Sequence, residues 1–238
     1  MKALIAVALL FVTFVSHADE VLFVGNSLTG FNNMPGLFLS LAQIQGRTPH
    51  VSESIKFGQT LSAHLNDPAA CALATAKKWD AVVLQEYSDL PLREPAEFRD
   101  HVFAFQKLVP GVHIFLFQNW PYRDAKTDVI EKLNRVYDDV ALETGATVVH
   151  LGRAMEELRT RSTLAVYVDV KHPAPIATYM GTLMMLDAIY GLDPLAAPPL
   201  ASGTNTPDSY VGAASAPVLF DLNRSEAQLV QKTAARFK

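Results

Sequence analysis

Cysteine is almost missing from this chain: Cys71 stands alone among 238 residues, so no intramolecular disulfide can form. Its setting, Ala70-Cys71-Ala72-Leu73-Ala74, has the look of a buried helix face, which gives it the role of a small hydrophobe. An excess of positive charge is missing as well. Lys and Arg number 20 against 24 Asp and Glu, a formal charge of −4, and no basic stripe is present to follow a phosphate backbone. Nucleic acid is thereby excluded as a partner. The seven histidines are scattered without the tight spacing of a zinc site, so neither a metal nor an organic cofactor is expected.

Long apolar runs are confined to the N-terminus. Met1-Lys2 supplies a positive start, residues 3–15 are almost wholly apolar, and Ser16-His17-Ala18 offers small residues where a signal peptidase reads. The run falls short of the roughly 20 residues that span a bilayer. The expectation is a signal peptide over 1–18, no stable membrane insertion, and a mature protein in a bacterial periplasm or outside the cell. Residues 19–238 suit one domain with a sizeable core, and half of the whole chain is apolar. No pattern in the sequence specifies an oligomeric state.

Short β-rich runs alternate with longer helical ones. The strand candidates are Val21–Val24, Val51–Ile55, Ala81–Gln85, His113–Phe117 and Thr147–Leu151. Helices are expected over Pro35–Gln45, Pro68–Lys78, Pro95–Leu108, Asp128–Glu143 and Pro175–Tyr190, the last ended by Gly191. The strands are continuously apolar, which suits a parallel sheet covered on both faces. The predicted fold is α/β: a three-layer α/β/α sandwich around a mostly parallel five-stranded sheet. Residues 193–208 are proline-rich and have the character of a loop leaving the core. Ser225-Glu226-Ala227-Gln228 reads as a capping box for a final helix, so 193–238 is expected to be a loop and a helix packing back on the domain.

Two stretches could carry chemistry. In the first, Val21-Leu22-Phe23-Val24 runs into Gly25-Asn26-Ser27-Leu28-Thr29. A buried strand ends at a glycine, and a serine follows at the start of a polar turn. In parallel sheets ligands bind at the carboxyl ends of strands, and backbone N–H groups near a helix start favour a developing oxyanion. Ser27 could equally cap the turn and nothing more. The second stretch, Asp169-Val170-Lys171-His172-Pro173, sets a carboxylate three residues before a histidine. One turn can let Asp169 accept the ring Nδ1–H and leave Nε2 free to take a serine proton. A surface Asp–His pair at a helix entry is the plainer reading.

Taken together, the two stretches resemble the SGNH, or GDSL-like, hydrolase superfamily. The resemblance covers about residues 21–190, and is nearest to bacterial members whose first block reads Gly-Asn-Ser-Leu-Thr, here Gly25 to Thr29. The closing Asp-x-x-His block falls on Asp169 and His172, followed by Pro173. The resemblance implies a flavodoxin-like SGNH fold and a serine esterase with the triad Ser27, His172 and Asp169. It further implies an oxyanion hole from the N–H groups of Ser27 and Gly58, with an asparagine side chain as third donor. The third block departs from that pattern: Leu84-Gln85-Glu86-Tyr87 offers Gln85, whose amide is the nearest in character. Asn26 replaces the usual aspartate, which alters how the turn is held and makes Asn26 a candidate substrate contact.

The implied substrate is a small-molecule or saccharide ester with a short acyl or O-acetyl group, with hydrolysis and acyl transfer both open. Trp120 and Tyr122, after the fourth strand, could stack on a sugar ring or simply cover the core edge. A catalytically weak carbohydrate-binding protein is the alternative, and it would go with a misplaced Gln85. A purely structural role would leave Ser27 and His172 apart.

Overall fold

The computed structural model describes residues 20–126, 128–202, 209–212 and 219–237. The expected signal peptide lies outside them. Strands β1 (Glu20–Gly25), β2 (His50–Ile55), β3 (Ala81–Leu84), β4 (His113–Phe117) and β5 (Thr147–Val149) occupy the five expected places, followed by β6 (Leu200–Ser202), β7 (Ser209–Gly212) and β8 (Leu219–Asp221). The helices are α1 (Ser27–Gly30), α2 (Met34–Ile44), α3 (Leu61–Leu65), α4 (Pro68–Thr75), α5 (Leu90–Arg93) and α6 (Pro95–Leu108), then α7 (Asp128–Thr144), α8 (Leu151–Arg161), α9 (Pro175–Tyr190) and α10 (Arg224–Ala234).

The main sheet has the order β5-β4-β3-β1-β2-β7, with every pair parallel. Alternate residues of one strand feed opposite cores, because side chains on a strand point to opposite faces. Val21 and Phe23 join the core under α2, α8 and α9, whereas Leu22 and Val24 join that under α6 and α7. Both faces being buried explains the unbroken apolar runs. The chain steps from β1 to β2 on one side and returns to β3 on the other. A crevice therefore opens at the carboxyl ends of β1 and β3, where such sheets bind ligands.

The C-terminal region departs from the loop reading. Pro194–Ala196 forms a short 3-10 turn, β6 pairs antiparallel with β8, and β7 adds a sixth strand alongside β2. The final helix begins one residue before Ser225, and its cap is Asn223, whose Oδ1 accepts the Glu226 N–H at 2.9 Å. Ser225 instead donates its hydroxyl to that same Oδ1. An asparagine two residues upstream thus takes the capping role that the Ser-x-x-Gln spacing suggested. Helix α10 is tied back by Gln231, which donates to the Ala197 carbonyl at 2.6 Å, and by an Arg236–Glu157 ion pair to α8. Residue Leu151, expected at the end of a strand, opens α8 instead. Among the described residues no helix is long and apolar enough to cross a membrane.

Candidate active site

The turn after β1 is built almost wholly from buried polar groups. Asn26 caps α1, its Oδ1 accepting the Leu28 N–H at 3.1 Å, while its Nδ2 donates to the Gln59 carbonyl at 3.0 Å. That second bond draws the β2–α3 loop against the nucleophile turn. Asn26 is buried, so it holds the turn and has no face to offer a substrate. Ser27 opens α1 and is itself 7% exposed.

Across the crevice, residues 167–173 fold into a small hairpin closed by a bridge between Tyr167 and Pro173. Asp169 sits at its bend and caps it: Oδ1 accepts the backbone N–H groups of Lys171 and His172 at 2.8 and 2.7 Å. Its Oδ2 accepts the His172 Nδ1–H at 2.7 Å. These three donors, the imidazole first, hold the Asp169 carboxyl well below the usual carboxylate range. A charged acceptor on Nδ1 fixes the tautomer and leaves a lone pair on Nε2. That Nε2 lies 3.0 Å from Ser27 Oγ. The three side chains nominated from the two sequence blocks, 145 residues apart, thus meet in one line of hydrogen bonds.

Gly58 lies on the loop beside them, between Lys56, whose N–H donates to the Gly25 carbonyl at 3.0 Å, and Gln59, which accepts from Asn26. Its φ of +74° is in the left-handed region, where a side chain would be strained. Neither the Ser27 nor the Gly58 N–H finds an acceptor within the described residues.

Gln85 is differently used. Its Oε1 accepts from the Asn26 N–H at 3.0 Å and the Thr29 hydroxyl at 3.1 Å. Its Nε2 donates to the Asn119 side chain at 3.0 Å and to the Glu86 carbonyl. The amide is buried and spent inside the protein, bracing the β1 turn from beneath. An oxyanion donor must point a free N–H into the crevice, and this one does not. Of the two readings open for Trp120, the covering of the core edge is the one the structure has. Only 3% exposed, Trp120 packs edge-on to Phe117 and donates Nε1–H to the Lys171 carbonyl at 2.8 Å, so it supports the histidine hairpin. Tyr122 does remain open to solvent at this edge, together with Phe57, Val168 and Val170.

Several supporting residues carry no local sequence signal. Asn119 donates its side-chain amide to the Glu86 and Ser88 carbonyls at 2.8 and 2.9 Å, fixing the β3 turn. Glu86 is buried and accepts from the Leu61 N–H at 3.1 Å and from His101 Nδ1 at 2.7 Å. Burial alone would lower the His101 pKa, but the hydrogen bond and charge of Glu86, joined by the charges of Glu97 and Asp100, outweigh it and raise that pKa. His101 sits on α6, so this carboxylate is a neighbour in space and is invisible to spacing rules. His64 donates Nε2–H to the Gly25 carbonyl at 3.0 Å and accepts the Ser54 hydroxyl on Nδ1 at 2.8 Å. The tautomer follows because a carbonyl can only accept.

Solved structures place this fold in context. A DUF4886 family protein from Bacteroides uniformis is similar, with TM-score 0.68, 14% identity, and 91% of this chain and 93% of that chain covered. A proposed SGNH hydrolase from Slackia heliotrinireducens is similar at TM-score 0.61 and 22% identity, over 72% of this chain and 98% of that one. A lipase/acylhydrolase from Enterococcus faecalis follows at TM-score 0.58 and 18% identity, over 72% and 95%. The chain has the SGNH hydrolase fold. It matches no family model and no curated protein. Within that SGNH fold, Ser27 follows the central strand β1 and His172 precedes α9.

Proposed function

We propose that the protein is an exported serine esterase in which Ser27 is the nucleophile, His172 the general base and Asp169 its orienting carboxylate. One observation carries this reading: Ser27 Oγ lies 3.0 Å from His172 Nε2 while Nδ1 of the same ring is held by Asp169 at 2.7 Å. An unassisted serine hydroxyl is a poor nucleophile at neutral pH, and this relay supplies the assistance.

In the proposed reaction Ser27 Oγ attacks the ester carbonyl carbon as its proton passes to His172 Nε2. The carbonyl oxygen becomes an anion facing the free N–H groups of Ser27 and Gly58. Collapse breaks the bond to the alcohol oxygen, which takes the proton from His172 and departs. Water then attacks the acyl-enzyme, giving its proton to His172, and the second collapse returns that proton to Ser27 Oγ and releases the acid. With Gln85 turned inward, two backbone donors serve the oxyanion. A missing third donor is worth about 3 kcal/mol where such losses have been measured, which favours reactive esters with short acyl or O-acetyl groups. Removal of residues 1–18 on export belongs to the same reading.

Saccharide binding without hydrolysis is the second reading, and the inward Gln85 and the exposed Tyr122 ring speak for it. The assembled Ser27–His172–Asp169 line speaks more strongly for hydrolysis, since binding alone needs no base with a fixed tautomer. A fluorophosphonate probe separates the two. Labelling at Ser27, located by mass spectrometry and lost in Ser27→Ala and His172→Ala, is the expected result. A folded protein that takes no label, yet binds saccharide, would overturn the esterase reading. Labelled protein should then be assayed on short p-nitrophenyl esters and acetylated sugars.

A further inference from the structure

The serine turn carries its own hold on the histidine hairpin. Phe31 follows α1 directly, and its N–H donates to the Ser27 carbonyl at 2.9 Å. Its ring lies on the His172 imidazole, with centroids 4.6 Å apart and planes 15° from parallel. The next residue, Asn32, is buried and donates its side-chain amide to the Pro173 carbonyl and to Thr178 Oγ1, both at 2.8 Å. One dipeptide therefore touches the nucleophile by its backbone, the base by its ring, and the peptide after the base by its amide.

The hairpin needs such a hold. Val168 and Val170 are 50% and 48% exposed, and the Asp169 side chain is 49% exposed. Asp169 fixes which nitrogen of His172 carries the proton, but a carboxylate so open to water restrains the ring plane weakly. Phe31 supplies a flat surface for that plane. At 40% exposed, Phe31 is not placed there by burial in a core. Its direction comes from Gly30: a Cβ at that position would come within 2.7 Å of Ile55 Cγ2 and 2.9 Å of Phe57 Cε1. The chain is thus pressed onto the β2 side and sends the next side chain across the crevice. Stacking also favours the imidazolium that forms when the serine proton is taken.

We propose that Phe31 and Asn32 are positioning residues for His172, Phe31 setting the plane of the ring and Asn32 anchoring the backbone that follows it. The proposal rests on the esterase reading and adds residues that neither sequence block contains.

The rate of fluorophosphonate labelling reads Ser27 activation before any substrate is known. Phe31→Leu keeps apolar bulk and removes the flat face, whereas Phe31→Tyr and Phe31→Trp keep the face. Phe31→Leu should label about 10- to 100-fold slower than wild type, as small misplacements of reacting groups do. Phe31→Tyr and Phe31→Trp should stay within about threefold of wild type, with circular dichroism and melting unchanged in all three. Phe31→Met gives the same reading should leucine disturb the fold. On an ester, the leucine loss should fall on kcat and spare KM. Wild-type labelling in Phe31→Leu, or equal losses in the aromatic and leucine variants, would overturn the proposal. A wild type that takes no label would sink the esterase reading first, whereas a labelled wild type indifferent to Phe31 would sink this inference alone.

Discussion

Among the described residues, two serine–histidine pairs are in hydrogen-bond contact, and only one of them has the makings of a catalyst. Ser54 and His64 are 2.8 Å apart, and Ser27 and His172 are 3.0 Å apart. Proximity does not distinguish them. What differs is the group on the other ring nitrogen. His64 gives its second nitrogen to the neutral carbonyl of Gly25, and burial pulls its pKa down to about 4. An imidazolium there would be buried with no carboxylate in hydrogen-bond contact, Asp67 and Glu86 acting on it only through space and Lys56 opposing them, and Ser54 is itself buried beyond the reach of a substrate. His172 gives its second nitrogen to the Asp169 carboxylate, and its partner serine ends at the open edge of the sheet. The first pair holds the end of β1 in place. On the proposed esterase reading, the second moves a proton. A base is made by what stabilises its protonated form.

The contrast breaks most sharply at Asp169. In Asp169→Asn the side-chain oxygen can still accept the Lys171 and His172 N–H groups, so the hairpin should keep its shape. The amide NH₂ replaces the acceptor beside Nδ1, which favours the tautomer with the proton on Nε2. Such a ring faces Ser27 with a donor, much as an inert pair would. We expect kcat to fall about 10³- to 10⁴-fold with little change in KM or unfolding free energy. A loss smaller than about tenfold would mean that His172 needs no carboxylate. A fall in stability of more than about 1 kcal/mol would mean that Asp169 chiefly builds the hairpin.

How much of this was open to reading before the fold was known follows from the range of each interaction. Gly25–Thr29 and Asp169–Pro173 are local patterns, and the residues they nominate do converge. Five strands were legible because burial on both faces writes unbroken apolar runs. Strand β7 was not, since Ser209–Gly212 is short and follows a proline-rich stretch, and its place depends on a free edge of β2. The inward turn of Gln85 was not legible either. A glutamine after β3 has the same donors whether it faces the crevice or the interior, and Asn26, Thr29 and Asn119 decide between them in space. The same holds for Trp120, whose partner lies 51 residues away, and for Phe31, which reaches His172 across the crevice.

His64 gives the contrast a pH axis. Its folded-state pKa is about 4 against an ordinary 6.5. Between those values the unfolded chain binds a proton that the folded chain refuses, so stability falls as pH drops from 6.5 toward 4 and then levels off. The drop should be roughly 3 kcal/mol. His101, with its pKa raised, acts the other way round: its contribution is complete below the unfolded value and is lost only as pH rises through the folded one. The lowered carboxyl of Asp169 matters below the ordinary carboxylate range, under this window. Urea unfolding at pH 7.5 and pH 4.5, for wild type and His64→Gln, isolates the histidine's contribution. The wild type should lose about 2–3 kcal/mol more than the variant between the two conditions. Equal losses would show that His64 is not the group that refuses the proton.

The smallest expected effect falls on the other half of the buried pair. Ser54→Ala removes the hydroxyl that His64 Nδ1 accepts and leaves a buried imidazole nitrogen without a donor, at a cost of about 1–2 kcal/mol. His64 keeps its Nε2–H on the Gly25 carbonyl, so the strand end that presents Ser27 should stay where it is. The variant should therefore unfold at lower urea yet take the fluorophosphonate on Ser27 at the wild-type rate, with no adduct on Ser54 in either protein. An adduct on Ser54 would end the distinction between the pairs, because burial and a neutral carbonyl would then suffice to activate a serine. Slower labelling of Ser27 would sharpen it in another direction: the inert pair would be setting the position of the working one through Gly25, and the Ser54–His64 hydrogen bond would belong to the site.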